Sequence, residues 1–430
     1  MRIIHTSDWH IGHRLYGQYR HEEHRLFFDW LHQQLIENQI DALIIAGDVF
    51  DTHNPSAEST RLYYNFLMRV HQSLPDLTTI VIGGNHDSAQ RLDAPREVLK
   101  YLNVRVIGGL PNHHSPEWEE IYVKIRSSKG EEAWVAAVPF LRASDLPIKT
   151  TEDEDRMING VREVYHWVLD KIEERLTEDQ ALILTGHCEM TSGLLSLDSE
   201  RRPRGYGDQT LPTDVFTPKD TRTPSYVALG HLHLAQEISE RSHIRYSGAP
   251  LAFSIAERDY PHQVVCIELD GAKVSKITPI LVPEEIKVKM LRIPKRDHID
   301  ETVNQTSFDE VIKELKRLPE LDETEPEWRR PLLQVNIHSE HPDPNIKIKV
   351  LKILKHKHVR LAKISISYPK SVQYESGAEL APKTYLSDID PSAIFSARWK
   401  SRCGEVPPDD QLKLFEELID EARIELSDEM

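Results

Sequence analysis

The chain has 430 residues, 39% of them hydrophobic and 29% charged, a composition typical of globular proteins and a length sufficient for more than one domain. The formal net charge of −17 argues against binding nucleic acid through overall positive charge, although clustered basic residues or metal ions can still attract phosphate. No apolar run is long enough to cross a bilayer and the 3 cysteines lie far apart, so we expect a cytoplasmic protein with no disulfide framework and no membrane partner.

Short apolar segments rich in β-branched residues predict buried strands in the first half of the chain. These segments span residues 2–5, 42–46, 79–82, 104–107, 121–125, 134–138, 182–185, 226–229, 243–246 and 263–269. Apolar residues at helical spacing predict helices over residues 22–39, 56–74, 89–102 and 156–176. The alternation predicts an α/β domain over residues 1–281 with a largely parallel sheet, and with segments 121–125 and 134–138 in a second layer.

A linker at residues 282–285 separates this domain from a smaller module at 286–367. The elements predicted for the module are strand 286–293, helix 307–318, strand 332–338, helix 346–355 and strand 359–367. Their order predicts a compact α+β fold. A helical tail is predicted at 388–430, and its last helix, at 408–426, carries apolar residues on one face and acidic residues opposite.

Five of the predicted strands each end in a short polar signature. The signatures are Asp8-Trp9-His10, Gly47-Asp48, Gly84-Asn85-His86-Asp87, Gly186-His187 and Gly230-His231-Leu232-His233. Taken singly, each has an ordinary alternative, since a Gly-Asp pair often caps a helix and Gly-Asn often forms a tight turn. Together and in this order they indicate one functional rim, because ligands of open α/β folds bind at the carboxyl ends of the strands.

Several side chains on this rim are candidate metal ligands. They are Asp8, His10, Asp48, Asn85, His187, His231 and His233. Alternate residues of an extended chain face the same side, so Asp8 and His10 can face one ion, while Asp48 is well placed to bridge two. So many ligands suggest two metals, and two metals suggest phosphoryl chemistry. Because the set holds Asp, Asn and His without thiolate, it favours manganese or iron over a structural zinc.

This ordered set resembles the calcineurin-like metallophosphoesterases, in which Asp-x-His, Gly-Asp-x-x-Asp, Gly-Asn-His-Asp, Gly-His and Gly-His-x-His follow one another. The segments His-Thr-Ser-Asp-Trp-His at 5–10 and Ala-Gly-Asp-Val-Phe-Asp at 46–51 are similar, more specifically, to the bacterial SbcD nucleases. Further similar segments lie at 139–142, 228–231 and 245–250. The resemblance is dense over residues 1–270, rests on the order of elements over 286–367, and rests on a helix pair in the tail.

The resemblance implies an α/β metallophosphoesterase sandwich with a smaller α+β capping domain and a C-terminal helical tail. It also implies two Mn²⁺ ions per chain, with Mg²⁺ or Fe as alternative metals. The implied ligands are Asp8, His10 and His233 for one ion, Asn85, His187 and His231 for the other, and Asp48 between them. The implied reaction is in-line attack of an activated water on a phosphodiester.

His86 matches the catalytic histidine of the family, which binds no metal and protonates the leaving oxygen or stabilises the transition state; the alternative is a purely structural role. Asp87 is expected to orient His86 and to tune its pKa. Asp51 departs from the pattern, because archaeal relatives often carry a histidine there that helps to place the scissile phosphate. The neighbouring His53 is the alternative candidate for that task, against a solvated loop histidine.

The resemblance implies a nuclease subunit, a double-strand exonuclease and single-strand or hairpin endonuclease that acts in DNA repair, recombination and replication. The implied partner is an SbcC-type coiled-coil ATPase that binds the tail at 388–430, although such amphipathic helices usually pack on their own domain. No Gly-x-x-x-x-Gly-Lys-Ser/Thr loop occurs in this chain, so no nucleotide is bound here and any ATP dependence comes from the partner. A homodimer through the helices at 58–74 and 91–102, within a heterotetramer, is also implied.

Basic and aromatic residues near the motifs are candidate DNA contacts, although solvated loops explain them as well. They are Arg14, Tyr16, Tyr19, Arg20, Arg201, Arg202, Arg204 and Tyr206. The candidates for a basic face of the smaller module are Lys287, Lys289, Lys352, Lys355 and Lys357.

Two other functions stay open at this point, a metallophosphoesterase for small phosphodiesters or phosphoproteins and a scaffold that has lost its metals. The extra module and tail favour the nuclease, since a small phosphatase does not need them.

Overall fold

The computed structural model describes residues 1–112, 114–147, 154–194, 210–218, 221–294, 308–339 and 345–367, with isolated positions between 343 and 415. Residue contacts divide the chain into two compact units. The first comprises Met1–Leu291 and Asp322–Leu332, and the second comprises Arg292–Leu321 and Leu333–Met430. The predicted tail at 388–430 lies almost wholly outside the described residues, so it stays a prediction.

The strands and helices are numbered in chain order. The strands are β1 (Arg2–Thr6), β2 (Arg14–Leu15), β3 (Gln18–Tyr19), β4 (Ala42–Ala46), β5 (Thr78–Ile82), β6 (Val104–Ile107), β7 (Tyr122–Arg126), β8 (Glu132–Ala136), β9 (Ala181–His187), β10 (Tyr226–Gly230), β11 (Gln236–Ile238), β12 (Arg241–Tyr246), β13 (Gln263–Asp270), β14 (Lys273–Leu281), β15 (Met290–Ile293), β16 (Leu332–His338) and β17 (Arg360–Ser367). The helices are α1 (His21–Glu37), α2 (Ala57–Ser73), α3 (Ala89–Asp93), α4 (Arg96–Leu99), α5 (Glu154–Glu173), α6 (Phe308–Lys316) and α7 (Ile346–Leu354). Within the described residues, no helix combines the length and the apolar character that a bilayer span needs.

Two six-stranded sheets form the body of the first unit. The first sheet has the strand order β14-β13-β1-β4-β5-β6, and the second has the order β11-β12-β10-β9-β8-β7. Alternate residues of a strand point to opposite faces, so apolar runs bury side chains on both. Ile3 and Ile44 pack with residues of the second sheet, whereas Ile4 and Ile45 pack with residues of α1 and α2. Helix α5 packs on the second sheet through residues such as Val164, and this confirms the predicted α/β sandwich.

The sheets are largely parallel, as predicted, but antiparallel strands lie at their edges. Strands β1, β4, β5 and β6 are parallel, but β13 runs antiparallel to β1, and β14 runs antiparallel to β13. The sequence does not predict β14, because its lysines and its mostly exposed side chains hide the alternation of a strand. The single helix predicted over residues 89–102 is interrupted at Pro95, because proline has no amide hydrogen to donate. The segment instead forms α3, α4 and, after α4, a 3-10 turn.

Strands β15, β16 and β17 form a separate three-stranded sheet in that order, and helices α6 and α7 contact each other. Lys357 is a predicted member of the basic face, but its side chain is buried. Its ammonium donates to the carbonyl oxygens of Lys316 and Leu318 and to the carboxylate of Glu320. It therefore satisfies carbonyls at the carboxyl end of α6 and is unavailable to DNA. The exposed lysines of the predicted face include Lys352 and Lys355.

His5 on β1 lies between the two sheets. Its Nδ1 is 3.0 Å from the hydroxyl of Tyr226 on β10, and its Nε2 is buried with no hydrogen-bond partner among the described residues. Burial, and then the charge of Arg245, lower the pKa of His5 to about 3. The unfolded chain therefore binds a proton near pH 6.5, whereas the folded protein does not. The free energy of unfolding consequently decreases as the pH falls from 6.5 towards 3.

We expect His5→Gln to reduce the slope of the unfolding free energy against pH between roughly pH 6.5 and pH 4. The reduction should correspond to about one proton fewer taken up on unfolding. Urea unfolding at a series of pH values, followed by circular dichroism, measures this slope. His356→Gln, at an exposed position, is the matched control and should leave the slope unchanged. A slope that His5→Gln does not alter would show that His5 titrates normally in the folded protein.

Candidate metal centre

Loops that follow five strands bring the predicted ligands together. Strands β1, β4 and β5 of the first sheet and β9 and β10 of the second sheet contribute them at their carboxyl ends. The side chains are Asp8, His10, Asp48, Asn85, His187, His231 and His233. The sequence predicts one rim of a single sheet, whereas the site lies where the ends of two packed sheets meet.

Hydrogen bonds join these loops to one another. The amide of Asp8 donates to the carbonyl of Gly47 at 3.0 Å, and the amide of His10 donates to that of Asp48 at 2.9 Å. The amide of His231 donates to the Asp8 carboxylate at 3.0 Å, which links the two sheets. The φ angles of Asp8, His10, Asp48 and His231 are 54°, 43°, 50° and 107°. Such angles cost energy for residues with a Cβ, so the loops hold these ligands in a conformation that a free chain rarely adopts.

The predicted ligand atoms form two groups, and a third group, of His10, Asp48 and His86, overlaps with both. The first contains Asp8, His10 and His233, the second contains Asp48, His187 and His231, and within each group the ligand atoms lie within 4.8 Å of one another. Asp48 Oδ2 is 3.5 Å from Nε2 of His10 and 3.3 Å from Nε2 of His187, so it lies between the two groups. Asn85 Oδ1 is 3.0 Å from His187 Nε2 and 3.2 Å from His231 Nδ1, which adds it to the second group.

Imidazole nitrogens without partners indicate that the cluster fits cations. Both ring nitrogens of His10 and Nε2 of His231 are buried and form no hydrogen bond within the described part of the chain. A buried polar atom left unpaired costs about 1–3 kcal/mol, and a bound cation removes that cost. Carboxylate and imidazole donors without thiolate suit manganese, iron or magnesium. The residues therefore fit a pair of divalent cations.

Two of the histidine ligands are oriented from behind. Nδ1 of His187 lies 2.9 Å from the carbonyl oxygen of Ala46, which can only accept, so Nδ1 carries the hydrogen and Nε2 is the nitrogen that a cation could use. Nδ1 of His233 lies 3.0 Å from Oε1 of Glu257, so here too Nδ1 carries the hydrogen and Nε2 is left for a cation. Such contacts fix the tautomer and the ring orientation of metal-binding histidines.

Burial and neighbouring charges set the protonation of the site before a cation binds. Burial alone raises the pKa of Asp48, but His187 and His10 hold it well below its ordinary value. Burial raises the pKa of Asp8 to about 6, and it lowers that of His231 to about 3 and that of His10 well below its usual range. Burial also opposes the proton on His187, but the Asp48 carboxylate raises its pKa to about 9. A cation beside His187 must displace this proton, so metal uptake releases protons.

Glycine precedes several ligands because the chain passes too close to other atoms for a side chain. A Cβ at Gly84 would lie 2.1 Å from Oδ1 of Asp48. A Cβ at Gly230 would lie 2.0 Å from the carbonyl oxygen of Ala46. Both distances are far shorter than any contact that two atoms can keep. The glycines of the motifs therefore belong to the geometry of the site rather than to ordinary turns.

His86 lies beside the predicted ligands, but Asp87 has different partners from those expected. The amide of His86 donates to Asp48 Oδ1 at 2.8 Å, and its ring Nδ1 lies 2.9 Å from the carbonyl oxygen of Asp51. Asp87 is fully buried, and its carboxylate accepts the amides of Val49, Phe50 and Gly84 at 2.9–3.0 Å. Its hydrogen bonds to the described residues do not include the ring of His86. Asp87 thus ties two ligand loops together, and the carbonyl of Asp51 orients His86 instead.

Three residues at the site are not predicted from the sequence. Glu257 is fully buried behind His233, Ser7 donates to Asp8 at 2.5 Å, and the ring of Phe253 lies 4.8 Å from that of His10. A glutamate in the apolar segment 251–257 is the only sequence signal for Glu257. Ser7 and Phe253 carry no signal, because neither residue type is unusual beside a strand.

The candidate DNA contacts divide into exposed and structural residues. Arg14 is exposed and its guanidinium stacks on Tyr19, with 4.0 Å between the guanidinium carbon and the ring centroid. Arg20 is buried in an ion pair of 2.8 Å with Glu23, and Tyr16 accepts a hydrogen bond from the backbone, so both hold the fold together. His53 is exposed and belongs to neither ligand group. Residues Arg201, Arg202, Arg204 and Tyr206 lie outside the described residues.

Known proteins resemble this chain over most of its length. The calcineurin-like phosphoesterase family matches residues 1–235, and a family described as type 5 capsule protein repressor C-terminal domain matches residues 299–402. The SbcD subunit of the nuclease SbcCD from Rhodobacter capsulatus is 35% identical over 92% of this chain and 94% of its own length. The proteins of the same name from Escherichia coli K12 and Bacillus subtilis 168 are 32% and 33% identical, over 66% and 62% of this chain and 68% and 66% of their own lengths.

The extent of these matches decides the family. The phosphoesterase family covers more than half of the chain, and the Rhodobacter relative is matched almost from end to end. The ligand groups lie within the matched region 1–235. This chain belongs to the calcineurin-like phosphoesterases and, among them, to the SbcD family of nuclease subunits.

Proposed function

We propose that this chain is the nuclease subunit of an SbcCD-type complex and hydrolyses phosphodiester bonds of DNA with the help of two divalent cations. The observation that carries the proposal is the cluster of ligand atoms around Asp48, with buried imidazole nitrogens that no described group satisfies. The relatives are named as subunits of the nuclease SbcCD, and this name supports DNA as the substrate. The activities are exonuclease on double-stranded ends and endonuclease on single strands and hairpins.

The two cations have separate ligand sets joined by one carboxylate. One set is Asp8, His10 and His233, the other is Asn85, His187 and His231, and Asp48 belongs to both. The distances from Asp48 Oδ2 to His10 and His187 support its bridging role. Mn²⁺ is the cation we propose, with Mg²⁺ or Fe as substitutes, because imidazole and carboxylate are combined without thiolate.

Bound cations supply positive charge to the phosphate and lower the pKa of the attacking water. The chain contributes the position of the proton donor. The carbonyl of Asp51 accepts from Nδ1 of His86, so the ring would deliver a proton to the leaving oxygen from Nε2, and only in its imidazolium form, which carries a hydrogen on both nitrogens. The amide of His86 also donates to Asp48, so the donor and the bridging carboxylate are held in one geometry.

The proposed partners are an SbcC-type coiled-coil ATPase, DNA and a second copy of this chain. The ATPase binds the amphipathic tail at 388–430 and supplies the ATP dependence, since this sequence has no phosphate-binding loop. The naming of the relatives as subunits supports a complex. For the homodimer, the exposed apolar side chains of α2, α4 and the following 3-10 turn support the predicted surface. They include Met68, Val98 and Tyr101, which are 47%, 69% and 87% exposed.

Mn²⁺ should stabilise the first unit against heat, because the cations neutralise the buried carboxylates of Asp8 and Asp48. With free Mn²⁺ a hundredfold above its dissociation constant, each bound cation adds about 2.7 kcal/mol to the unfolding free energy. Scanning calorimetry after EDTA treatment and after the return of Mn²⁺ measures the difference. Asp48→Asn should abolish the gain, while Asp270→Asn at an exposed strand end should keep it. Equal melting temperatures with and without Mn²⁺ would contradict a metal centre here.

His86→Ala should slow cleavage of a hairpin-ended duplex in Mn²⁺ by about 10²–10⁴-fold, the usual contribution of a general acid, and should leave both cations bound. Nuclease rates and metal content are measured together, with and without the partner ATPase and ATP. His356→Ala, at an exposed position of the smaller module, should cleave at a rate close to that of the wild type.

Loss of a cation in the His86→Ala variant would instead make His86 a ligand, since its ring lies in one group with His10 and Asp48. Failure of the wild type to cleave DNA even with partner and ATP, alongside turnover of a small phosphodiester, would favour the small-substrate phosphodiesterase.

Replacing the exposed apolar residues Val98 and Tyr101 by glutamate should convert a dimer into a monomer, because charges are then buried at the interface. Light scattering after size-exclusion chromatography measures the mass. Leu281→Glu, at a strand residue that is 61% exposed, is the matched control and should remain dimeric. A Val98→Glu/Tyr101→Glu variant that elutes as a dimer would rule out this surface.

A further inference from the structure

We infer that Glu257 is a positioning residue, which fixes the tautomer of His233 and strengthens cation binding at the Asp8–His10–His233 position selectively. Neither the motifs nor the resemblance assigns a role to this residue. The inference rests on the ligand assignment proposed above. It concerns one of the two cation positions, because different groups orient the ligands of the other.

Glu257 is held as a buried acceptor. Its side chain has no solvent exposure, Oε1 lies 3.0 Å from His233 Nδ1, and Oε2 accepts the amide of Phe253 at 2.7 Å. An ionised carboxylate only accepts hydrogen bonds. Nδ1 of His233 therefore carries the hydrogen, and the lone pair on Nε2 is directed to the cation.

The turn that carries Glu257 is itself anchored. Glu257 ends the 3-10 turn Ile255–Glu257, and the ring nitrogens of His262 lie 3.1 Å from the carbonyl oxygen of Glu257 and 2.9 Å from that of Ala249. Phe253, which the carboxylate holds through its amide, places its ring 5.0 Å from that of His233. The carboxylate therefore fixes both the hydrogen-bonding atom of His233 and the packing beside its ring.

The second cation position has a different support. His187 is oriented by the neutral carbonyl of Ala46, and the oxygen that lies 3.2 Å from Nδ1 of His231 belongs to Asn85, which is itself a proposed ligand of this position. In the hydrogen bonds that the described residues make, no carboxylate stands behind either histidine. Two carboxylates therefore serve the first position alone, Asp8 as a ligand and Glu257 behind the ligand His233. The second position has only the carboxylate of Asp48, which it shares with the first. A carboxylate behind a histidine raises its basicity, so we expect tighter binding at the first position.

Titration of the EDTA-treated full-length chain with Mn²⁺ tests the inference, with free Mn²⁺ followed by electron paramagnetic resonance. The wild type should bind in two steps. Glu257→Gln should weaken the tighter step by about 10–100-fold and leave the weaker step unchanged, because the amide no longer carries the charge that polarises His233. Glu257→Asp, which keeps the charge, should recover part of the affinity. The matched control is Glu268→Gln, on β13 and paired with the exposed side chains of Arg2 and Lys276, which should bind like the wild type.

Thermal unfolding in EDTA separates positioning from folding. Under the inference, Glu257→Gln melts close to the wild type in EDTA but gains less stability from Mn²⁺. Two wild-type steps that Glu257→Gln leaves unchanged would overturn the inference and spare the metal assignment. Equal weakening of both steps, with a lower melting temperature in EDTA, would make Glu257 a structural residue and overturn it too. A wild-type chain that binds no Mn²⁺ would overturn the proposed function together with the inference.

Discussion

The buried carboxylate of Asp48 is the constraint on which the rest of this site depends. A carboxylate removed from water loses several kcal/mol of solvation, which only opposite charge and hydrogen bonds can offset. His10 and His187 flank one of its oxygens, and the amide of His86 donates to the other. These partners come from the loops after β1 and β5 and from the end of β9. The carboxylate can therefore be accommodated only when both sheets pack with their carboxyl ends together.

The loops around Asp48 adopt costly backbone angles, and the surrounding contacts keep them there. Asp87 accepts amides from the loop after β4 and from its own loop, so a single buried side chain holds two ligand loops at a fixed separation. Gly84 and Gly230 allow the approach, because a methyl group at either position would overlap a neighbouring oxygen. Burial of the large apolar core between the sheets offsets the free-energy cost of these strained loops.

The same packing separates the tasks of the histidines. His187 and His233 each have one ring nitrogen committed to an acceptor behind them, and His10 has both nitrogens free of hydrogen bonds with described residues. His86 is held by the carbonyl of Asp51, next to the ligands and with a different orientation. The neighbouring backbone and carboxylates thus determine which nitrogen of each histidine faces the site, as the proposed roles of ligand and proton donor require.

The sequence by itself determined most of the elements and the types of the candidate ligands. Strands such as β4 are apolar throughout, and polar motifs follow them at once, so the candidate metal ligands and the α/β class could be predicted from local pattern. Only the tertiary structure decided that two sheets share the site, that Asp87 binds backbone amides rather than His86, and that Glu257 stands behind His233. Glu257 is 24 residues from His233 along the chain. Contacts of this kind depend on how distant segments pack, and periodicity reports only which face of each segment is buried.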